Sequence, residues 1–287
     1  MNKILEAILL GIIQGLTEFL PISSTAHLTL AGKLMGLIEP LHPEHWTASI
    51  AVIQLGTLAA VFIYFIKDIS KIIRGFLTGI SNRLVKKDDN PFVKEGRTGW
   101  LIFIGTIPVV LVGLLFKKSI EGSFTKNLYV IAGSMFTLAI ILWLAEIIGK
   151  RKKEMEQVSF LDSFIIGFAQ AFALIPGSSR SGTTITAGLF IGLKRETAAK
   201  FSFLLSLPSV LASGLLELVQ SLKEIPDSPI GPAELITATF VAGIVGYASI
   251  WALLKYLKNH STLVFVIYRI ALGLTILILL YTNLISN

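Results

Sequence analysis

The sequence contains no cysteine and few charged residues. None of the 287 residues is cysteine, which excludes disulfides and thiolate metal sites. Only 15% of the residues are charged, whereas a soluble domain carries about 25%. With 53% hydrophobic residues, much of the surface must face something other than water. The net charge of +7 is typical of the cytoplasmic loops of a membrane protein and gives no support to nucleic-acid binding.

Six segments are long and apolar enough to cross a bilayer. A hydrocarbon core of about 30 Å requires roughly 20 residues of helix. Backbone groups in lipid must be hydrogen-bonded within their own segment, so these segments are predicted to be helices. They lie at about 47–66, 98–116, 127–148, 200–222, 233–256 and 262–284. The sequence therefore predicts an all-α, multi-pass integral membrane protein.

Two further apolar regions, at about 4–38 and 161–193, are interrupted in the middle by proline and polar residues. The first break reads TEFLPISSTAH from Thr17 to His27, and the second reads IPGSSRSG from Ile175 to Gly182. Each half is too short to span a bilayer. We therefore expect two re-entrant helical hairpins whose turns are buried in protein or line a cavity.

The two interrupted regions also resemble each other. The matching pieces are Gly11-Ile-Ile-Gln14 with Gly167-Phe-Ala-Gln170, and Pro21-Ile-Ser-Ser24 with Pro176-Gly-Ser-Ser179. Three predicted spans follow each region, so the chain is predicted to be two repeats, residues 1–150 and 151–287, in one membrane domain. An odd number of spans inverts the second repeat relative to the first. The two turns then meet near the midplane, where such repeats place a binding site.

Basic residues predict the orientation. The segment 67–97 and the run Lys150-Arg-Lys-Lys153 are predicted to be cytoplasmic, and the more acidic stretch 223–234 is predicted to lie outside. The apolar residues of 67–97 follow a helical period that is typical of an interfacial helix. The loop 117–126 is an exception, because it contains three lysines and is nevertheless placed outside.

Both breaks contain groups that suit an anion. Each precedes a half-helix whose first N–H groups lack partners, and such a helix end binds phosphate well. The hydroxyl residues at these helix starts are Ser23, Ser24, Thr25, Ser178, Ser179 and Ser181. Gly177 and Gly182 let the backbone approach a ligand closely. Arg180 adds a positive fork that matches phosphate oxygens.

The first break adds groups that can carry a reaction. Gln14 and Glu18 share a helical face, where an amide oxygen and a carboxylate can hold Mg²⁺ or Ca²⁺ beside substrate phosphates. His27 can act as a base or nucleophile near neutral pH. Ser24 lies three residues earlier, close enough for a serine–histidine pair. This mixture indicates phosphoryl transfer.

These two motifs resemble the signatures of the undecaprenyl-diphosphate phosphatases, also known as the bacitracin-resistance family. The stretch from Gln14 to His27 is similar to the first signature, and the stretch from Pro176 to Thr184 is similar to the second, PGxSRSxxT. The resemblance continues to about Tyr268-Arg269. It implies hydrolysis of undecaprenyl diphosphate to the monophosphate and inorganic phosphate. That reaction recycles the carrier lipid for peptidoglycan synthesis and gives bacitracin resistance.

The resemblance also implies the site and its surroundings. It implies a divalent cation and an active site open to the outer face of the bacterial plasma membrane. The implied functional core is Glu18, Ser24, His27 and Arg180, supported by Gln14, Ser23, Ser179 and Thr184. Gln14 stands where many members have glutamate, and a neutral amide is a weaker metal ligand, so Glu18 is the expected metal ligand. The oligomeric state stays open, with a homodimer as one alternative.

Several alternatives remain. Ser24 attacks phosphorus with His27 as base, or His27 attacks directly, or His27 activates water while Ser24 binds phosphate; the first is favoured. A competing function is a transporter or flippase of a phosphorylated lipid or anion, because inverted repeats with broken helices are transporter architecture. The set Glu18, Ser24 and His27 favours the phosphatase.

Two other features are predicted to be structural or ordinary. Arg269 lies inside the last predicted span and is expected to brace the second hairpin. A second group of residues resembles a metal site by composition and is predicted to be an ordinary outer loop. Its members are Glu39, His42, Glu44 and His45.

Overall fold

The computed structural model describes residues 2–39, 41–85, 93–121, 123–221 and 230–287, and these are predominantly helical. The α-helices within those ranges are α1 (Lys3–Thr17), α2 (Ser24–Leu34), α3 (Pro43–Tyr64), α4 (Ile66–Val85), α5 (Val93–Leu115), α6 (Lys117–Glu121), α7 (Leu128–Ile148), α8 (Phe160–Ala171), α9 (Arg180–Phe190), α10 (Arg195–Ser221), α11 (Pro232–Asn259) and α12 (Leu263–Tyr281). Short 3-10 turns occupy Ser123–Lys126, Met155–Gln157 and Phe172–Leu174.

Six of these helices are long and apolar enough to cross a membrane, which confirms the predicted number of spans in the described parts of the chain. They are α3, α5, α7, α10, α11 and α12. The first of them begins at Pro43 rather than near residue 47. Proline fits the first turn of a helix, because the N–H groups of that turn have no partner within the helix and proline therefore loses no hydrogen bond.

Both interrupted regions fold as two helices joined by a turn. Helix α1 ends at Thr17 and α2 begins at Ser24, while the turn after α8 ends at Leu174 and α9 begins at Arg180. The two helices of each pair contact each other. A re-entrant hairpin requires this arrangement. The depth of each hairpin in the bilayer, and their opposite directions, stay predictions.

Helices of the first half of the chain pack mainly on helices of the second half, and equivalent helices have equivalent partners. Helix α1 packs on α11, and α8 correspondingly packs on α5. Helix α3 packs on α11, and α10 packs on α5. The remaining cross-contacts of the spans join matching helices, α3 with α10 and α7 with α12. Two equivalent halves produce such a pattern, and the division near residue 150 stays a prediction.

Helix α4 lies where an interfacial helix is predicted. It follows the first span directly and packs along α5. Ile69 is buried, whereas Ile73 and Leu77 are exposed and apolar, as expected for a helix at a lipid surface. Lys86, Lys87 and most of the predicted acidic stretch 223–234 lie outside the described residues.

Close approach of the helices depends on small residues. A Cβ added at Gly56 of α3 would collide with the backbone carbonyl oxygen of Thr239 on α11. Gly167 of α8 similarly lies against the carbonyl oxygen of Gly105 on α5. Membrane helices pack through such small residues, because lipid supplies no hydrophobic force between helices. The first contact sets how closely α3 approaches α11, and the second sets how closely the second hairpin approaches α5.

Gly56→Ala is therefore expected to destabilise the protein by about 1–3 kcal/mol, because backbone must move to admit the methyl group. Gly113→Ala on α5 is the matched control, because a Cβ there meets nothing within 4 Å. Thermal unfolding of the purified proteins in detergent measures both. The packing of α3 on α11 would be wrong if the two variants unfolded at the same temperature.

Candidate active site

The turns of the two hairpins lie against each other. Ser181 donates a hydrogen bond from Oγ to the backbone oxygen of Leu20, 3.0 Å away. Arg180 forms an ion pair with Glu18. Leu20 and Glu18 belong to the first break, and Arg180 and Ser181 to the second. The predicted meeting of the two breaks is therefore confirmed.

Glu18 lies at the centre of this contact. Its side chain is 4% exposed. The carboxylate accepts hydrogen bonds from Gln14 Nε2 at 2.9 Å, from Ser24 Oγ at 2.8 Å and from the guanidinium of Arg180. A buried carboxylate is costly unless it has partners, and these three donors offset that cost. Glu18 thus connects α1, α2 and α9.

The N-terminal ends of α2 and α9 converge on the same carboxylate. Ser24 is the first residue of α2 and Arg180 is the first residue of α9, and both contact Glu18. The first N–H groups of a helix lack partners within the helix, and its dipole is positive at that end. Two such ends in one place suit an anion, and the space around Ser24, Arg180 and Glu18 is called the phosphate pocket below.

Two buried donors at this pocket have no hydrogen-bond partner among the described residues. They are Nη1 of Arg180 and Oγ of Ser178. Ser178 is 1% exposed, so bulk water does not satisfy its hydroxyl. A buried donor without an acceptor carries a desolvation cost of about 1–3 kcal/mol. An acceptor brought to either group would remove that cost.

His27 is held by Ser23 and Tyr268. Its Nδ1 lies 2.7 Å from the backbone oxygen of Ser23, and its Nε2 lies 2.6 Å from the hydroxyl of Tyr268. A carbonyl oxygen only accepts, so we assign the ring hydrogen to Nδ1 and let Nε2 accept from the tyrosine. The two rings are stacked, with centroids 5.6 Å apart.

The expected hydrogen bond between Ser24 and His27 is not formed. Ser24 donates to Glu18 instead, and both ring nitrogens of His27 have other partners. The reason is local: Ser23 has φ 75° and caps α2, accepting from the N–H of Ala26. This backbone directs Ser24 towards α1 and lets the ring of His27 fold back on the Ser23 carbonyl.

The second break has the same cap. Ser179 has φ 68°, and its hydroxyl accepts from the N–H of Gly182. The separation along the chain from Ser23 to Ser179 equals that from Gln14 to Gln170. One register therefore relates both hairpins, and the predicted match of Ser24 with Ser179 is displaced by one residue. In the corrected register Ser24 corresponds to Arg180.

The remaining predicted binding residues lie near this pocket and differ in their burial and hydrogen-bond partners. Ser181 is buried and lies 3.1 Å from the hydroxyl of Ser179. Thr184 is fully buried behind Arg180, where it bonds Ser202 at 2.5 Å and the Arg180 carbonyl at 2.8 Å. Thr25 is half-buried on the first turn of α2.

Arg269 braces both turns and not only the second. Its guanidinium donates to the carbonyl oxygens of Pro21 at 3.3 Å, Ser178 at 3.0 Å and Gly177 at 3.1 Å. Its Nε donates to Met135 on α7 at 3.3 Å. The side chain is completely buried. Gly177 has φ 86°, a left-handed conformation that points its carbonyl at Arg269 without a Cβ penalty.

Sequence reasoning missed Tyr268 and Thr57. Tyr268 reaches His27 from α12, and Thr57 on α3 lies 3.4 Å from Gln14 Nε2. The only available signal for Tyr268 was a phenol inside an apolar span beside Arg269. No local pattern connects Thr57 with Gln14.

Glu18 and Gln14 are the residues that fit a divalent cation. The Oε1 atom of Gln14 is buried without a hydrogen-bond partner in the described structure. The nitrogen of the same amide donates to the carboxylate of Glu18 at 2.9 Å, and amide and carboxylate oxygens are the hard ligands that Mg²⁺ and Ca²⁺ prefer. Two protein oxygens suit a cation that takes its other ligands from phosphate and water.

Comparison with known proteins identifies relatives along almost the entire chain. Residues 7–275 match the family described as bacitracin resistance protein BacA. A protein of Syntrophobacter fumaroxidans named undecaprenyl-diphosphatase is 53% identical over 94% of this chain and 95% of its own length. Proteins with the same name from Chloroherpeton thalassium and Chlorobium limicola are each 51% identical, over 96% and 98% of both chains respectively.

Arg269→Met is expected to destabilise the protein by at least about 3 kcal/mol, because it removes four hydrogen bonds and leaves buried carbonyls unsatisfied. Arg97→Met is the control, because Arg97 also bonds two carbonyls but at the surface. Thermal unfolding in detergent compares them. Equal effects of the two substitutions would show that Arg269 does not hold the turns together.

Proposed function

This chain belongs to the BacA family of bacitracin resistance proteins, and from that premise we propose how its pocket acts on a lipid diphosphate. The chain hydrolyses undecaprenyl diphosphate to undecaprenyl phosphate and inorganic phosphate, the activity for which its relatives are named. The observation that carries the mechanism is the convergence of two helix N-termini and Arg180 on one buried carboxylate.

The diphosphate binds at the N-terminal ends of α2 and α9. Arg180 Nη1 and Ser178 Oγ are buried donors without acceptors, and phosphate oxygens satisfy both. The free N–H groups at the helix starts add further donors. Glu18 keeps Arg180 in place through the ion pair on its other nitrogen. The guanidinium therefore stabilises charge on the phosphoryl oxygens as the bond to the bridging oxygen lengthens.

His27 Nε2 is the base. Glu18 already accepts from three donors, whereas His27 has its Nδ1–H fixed on the Ser23 carbonyl and its Nε2 lone pair towards Tyr268. Water attacks the terminal phosphorus and gives its proton to Nε2. The bond from that phosphorus to the bridging oxygen breaks, and undecaprenyl phosphate leaves with the oxygen. Of the three alternatives, the hydrogen bonds favour this one over a serine–histidine pair.

Tyr268 regulates the availability of that nitrogen. Its hydroxyl bonds Nε2 at 2.6 Å, so it must turn away before Nε2 can take a proton from water. A phosphate oxygen in the pocket offers the hydroxyl a charged acceptor, which is stronger than a neutral one. Substrate binding thereby frees the base.

A divalent cation belongs to the same proposal. Glu18 and the unpaired Oε1 of Gln14, whose amide nitrogen donates to that carboxylate, would hold Mg²⁺ or Ca²⁺ together with the diphosphate. A bound cation supplies charge neutralisation and polarises phosphoryl oxygens. The transporter alternative is not favoured, because the relatives are named as diphosphatases and Glu18, Ser24 and His27 are not needed to carry an anion.

The protein is a multi-pass membrane protein, and we place it in the plasma membrane with its pocket opening outwards. The basic residues Lys67, Lys71 and Arg74 of α4 and the run 150–153 support this orientation, because such residues favour the cytoplasmic side. The spent phosphate then leaves on the outer side, where the lipid diphosphate is exposed.

Phosphate release from a long-chain prenyl diphosphate by the purified protein tests the reaction. His27→Ala and Arg180→Ala are each expected to lower the rate by about 10²–10⁴-fold. Tyr268→Phe should lower it only about tenfold, because the hydroxyl loses a bond to a phosphate oxygen worth about 1.5–3 kcal/mol, and freeing Nε2 from the tyrosine offsets part of that loss. A chelator should stop the reaction, and added Mg²⁺ or Ca²⁺ should restore it.

His260→Ala is the matched control, because His260 is an exposed histidine at the end of α11. It should retain the full rate. A His27→Ala protein with most of the wild-type rate would contradict the assignment of the base. Full activity in a chelator would contradict the metal.

Accessibility of introduced cysteines tests the orientation, because the natural chain contains none. Leu41→Cys, in an exposed position before α3, should react with an impermeant maleimide on intact cells. Lys152 is exposed just after the end of α7, on the predicted cytoplasmic side. Lys152→Cys should therefore react only after the cells are permeabilised. The reverse pattern would show that the pocket opens to the cytoplasm.

A further inference from the structure

A second group of metal-ligand side chains lies at the start of α3, outside the phosphate pocket. His42, Glu44 and His45 each offer one donor atom, and the three atoms lie within 4.8 Å of one another. The sequence predicts an ordinary loop at this position. That prediction does not account for a gathered set of two imidazoles and a carboxylate.

A carboxylate contacts each imidazole. His42 Nδ1 lies 3.1 Å from Glu44 Oε1, and His45 Nδ1 lies 3.0 Å from Glu39 Oε2. Two ligand atoms of one tetrahedral zinc ion lie about 3.2 Å apart, so His42 Nδ1 and Glu44 Oε1 are already spaced to share an ion. Glu39 accepts from His45 Nδ1, which leaves the lone pair of His45 on Nε2. Metal-binding histidines are typically fixed in this way by a carboxylate on the other nitrogen.

The surroundings leave room for an ion and for water. The side chain of His45 is 14% exposed, while His42 and Glu44 are 57% and 46% exposed. Glu44 Oε1 and His42 Nδ1 face each other, so both can bind an ion that comes between them. The two imidazole rings are stacked, with centroids 5.1 Å apart, and both lie at the start of α3.

We propose that His42, Glu44 and His45 bind one Zn²⁺ ion, with Glu39 orienting His45. Two imidazoles and one carboxylate form a donor set that zinc accepts with water in its fourth position. Mg²⁺ and Ca²⁺ prefer oxygen ligands, so they do not compete effectively here. This site is independent of the cation proposed for Glu18 and of the reaction.

The ion would fix the start of α3 against the hairpin that carries the active site. Trp46 directly follows His45, is 5% exposed and packs on α2, where a Cβ at Gly32 would lie 2.5 Å from its ring. Glu39 belongs to the segment that leaves α2. Zinc bound to His45 would connect the start of the first span to the segment after α2 through the Glu39–His45 hydrogen bond, and it would stabilise the folded protein by binding it preferentially.

Zinc binding by the purified full-length chain in detergent tests the proposal. The protein is stripped with a chelator, dialysed, and titrated with Zn²⁺ in millimolar Mg²⁺, and bound zinc is measured by elemental analysis beside the unfolding temperature. We expect one saturable equivalent and a rise in the unfolding temperature. His42→Ala and His45→Ala should abolish both, and Glu39→Gln should weaken binding about 10- to 100-fold.

Two control variants separate this site from others. His260→Ala removes a histidine outside the group, and Glu18→Gln removes the carboxylate of the phosphate pocket; both should still bind one equivalent. The proposal is overturned if the wild-type chain binds no more zinc than the His42→Ala/His45→Ala double variant. It is also overturned if Glu18→Gln, rather than the histidine variants, loses the zinc.

Discussion

The ion pair between Glu18 and Arg180 is the interaction on which the rest of the site depends. It joins residues 162 positions apart in the chain, and its carboxylate is almost fully buried while its guanidinium is partly buried. Removal of one partner from a buried pair leaves an uncompensated charge, which costs about 3–5 kcal/mol. Because Glu18 also holds Ser24, the same carboxylate fixes the starts of α2 and α9 relative to each other. Arg269 supports this arrangement from behind by bonding the carbonyls of both turns.

The two hairpins supply the same backbone and different side chains. Ser23 and Ser179 share a positive φ and the same capping bond, so each half contributes one helix N-terminus to the site. At the next position the first half has Ser24 and the second has Arg180. The pocket therefore gains positive charge from one half and the carboxylate and imidazole from the other. A phosphatase site needs both, and neither hairpin alone contains both.

The fold was largely predictable from the sequence, whereas the contacts of the site were only partly so. Hydropathy over about 20 residues determines where a span can form, and prolines with polar neighbours mark where it cannot. The partners of His27 were not predictable, because the positive φ of Ser23 redirects the chain and Tyr268 comes from the last span. The predicted alignment of the two turns was wrong by one residue, because a local match of Pro-x-Ser-Ser ignores the length of each turn.

The central claim is that the two breaks form one pocket, and short-range cross-linking tests it most directly. Ser24→Cys and Arg180→Cys are combined in the naturally cysteine-free chain, with a protease site inserted at 86–92. A bifunctional thiol reagent with a span of about 8 Å is applied before cleavage. This span exceeds the distance between two side chains that contact the same carboxylate. The account predicts that the two fragments stay joined, and that they separate when Ser24→Cys is paired instead with His260→Cys. Fragments that separate equally in both pairs would contradict it.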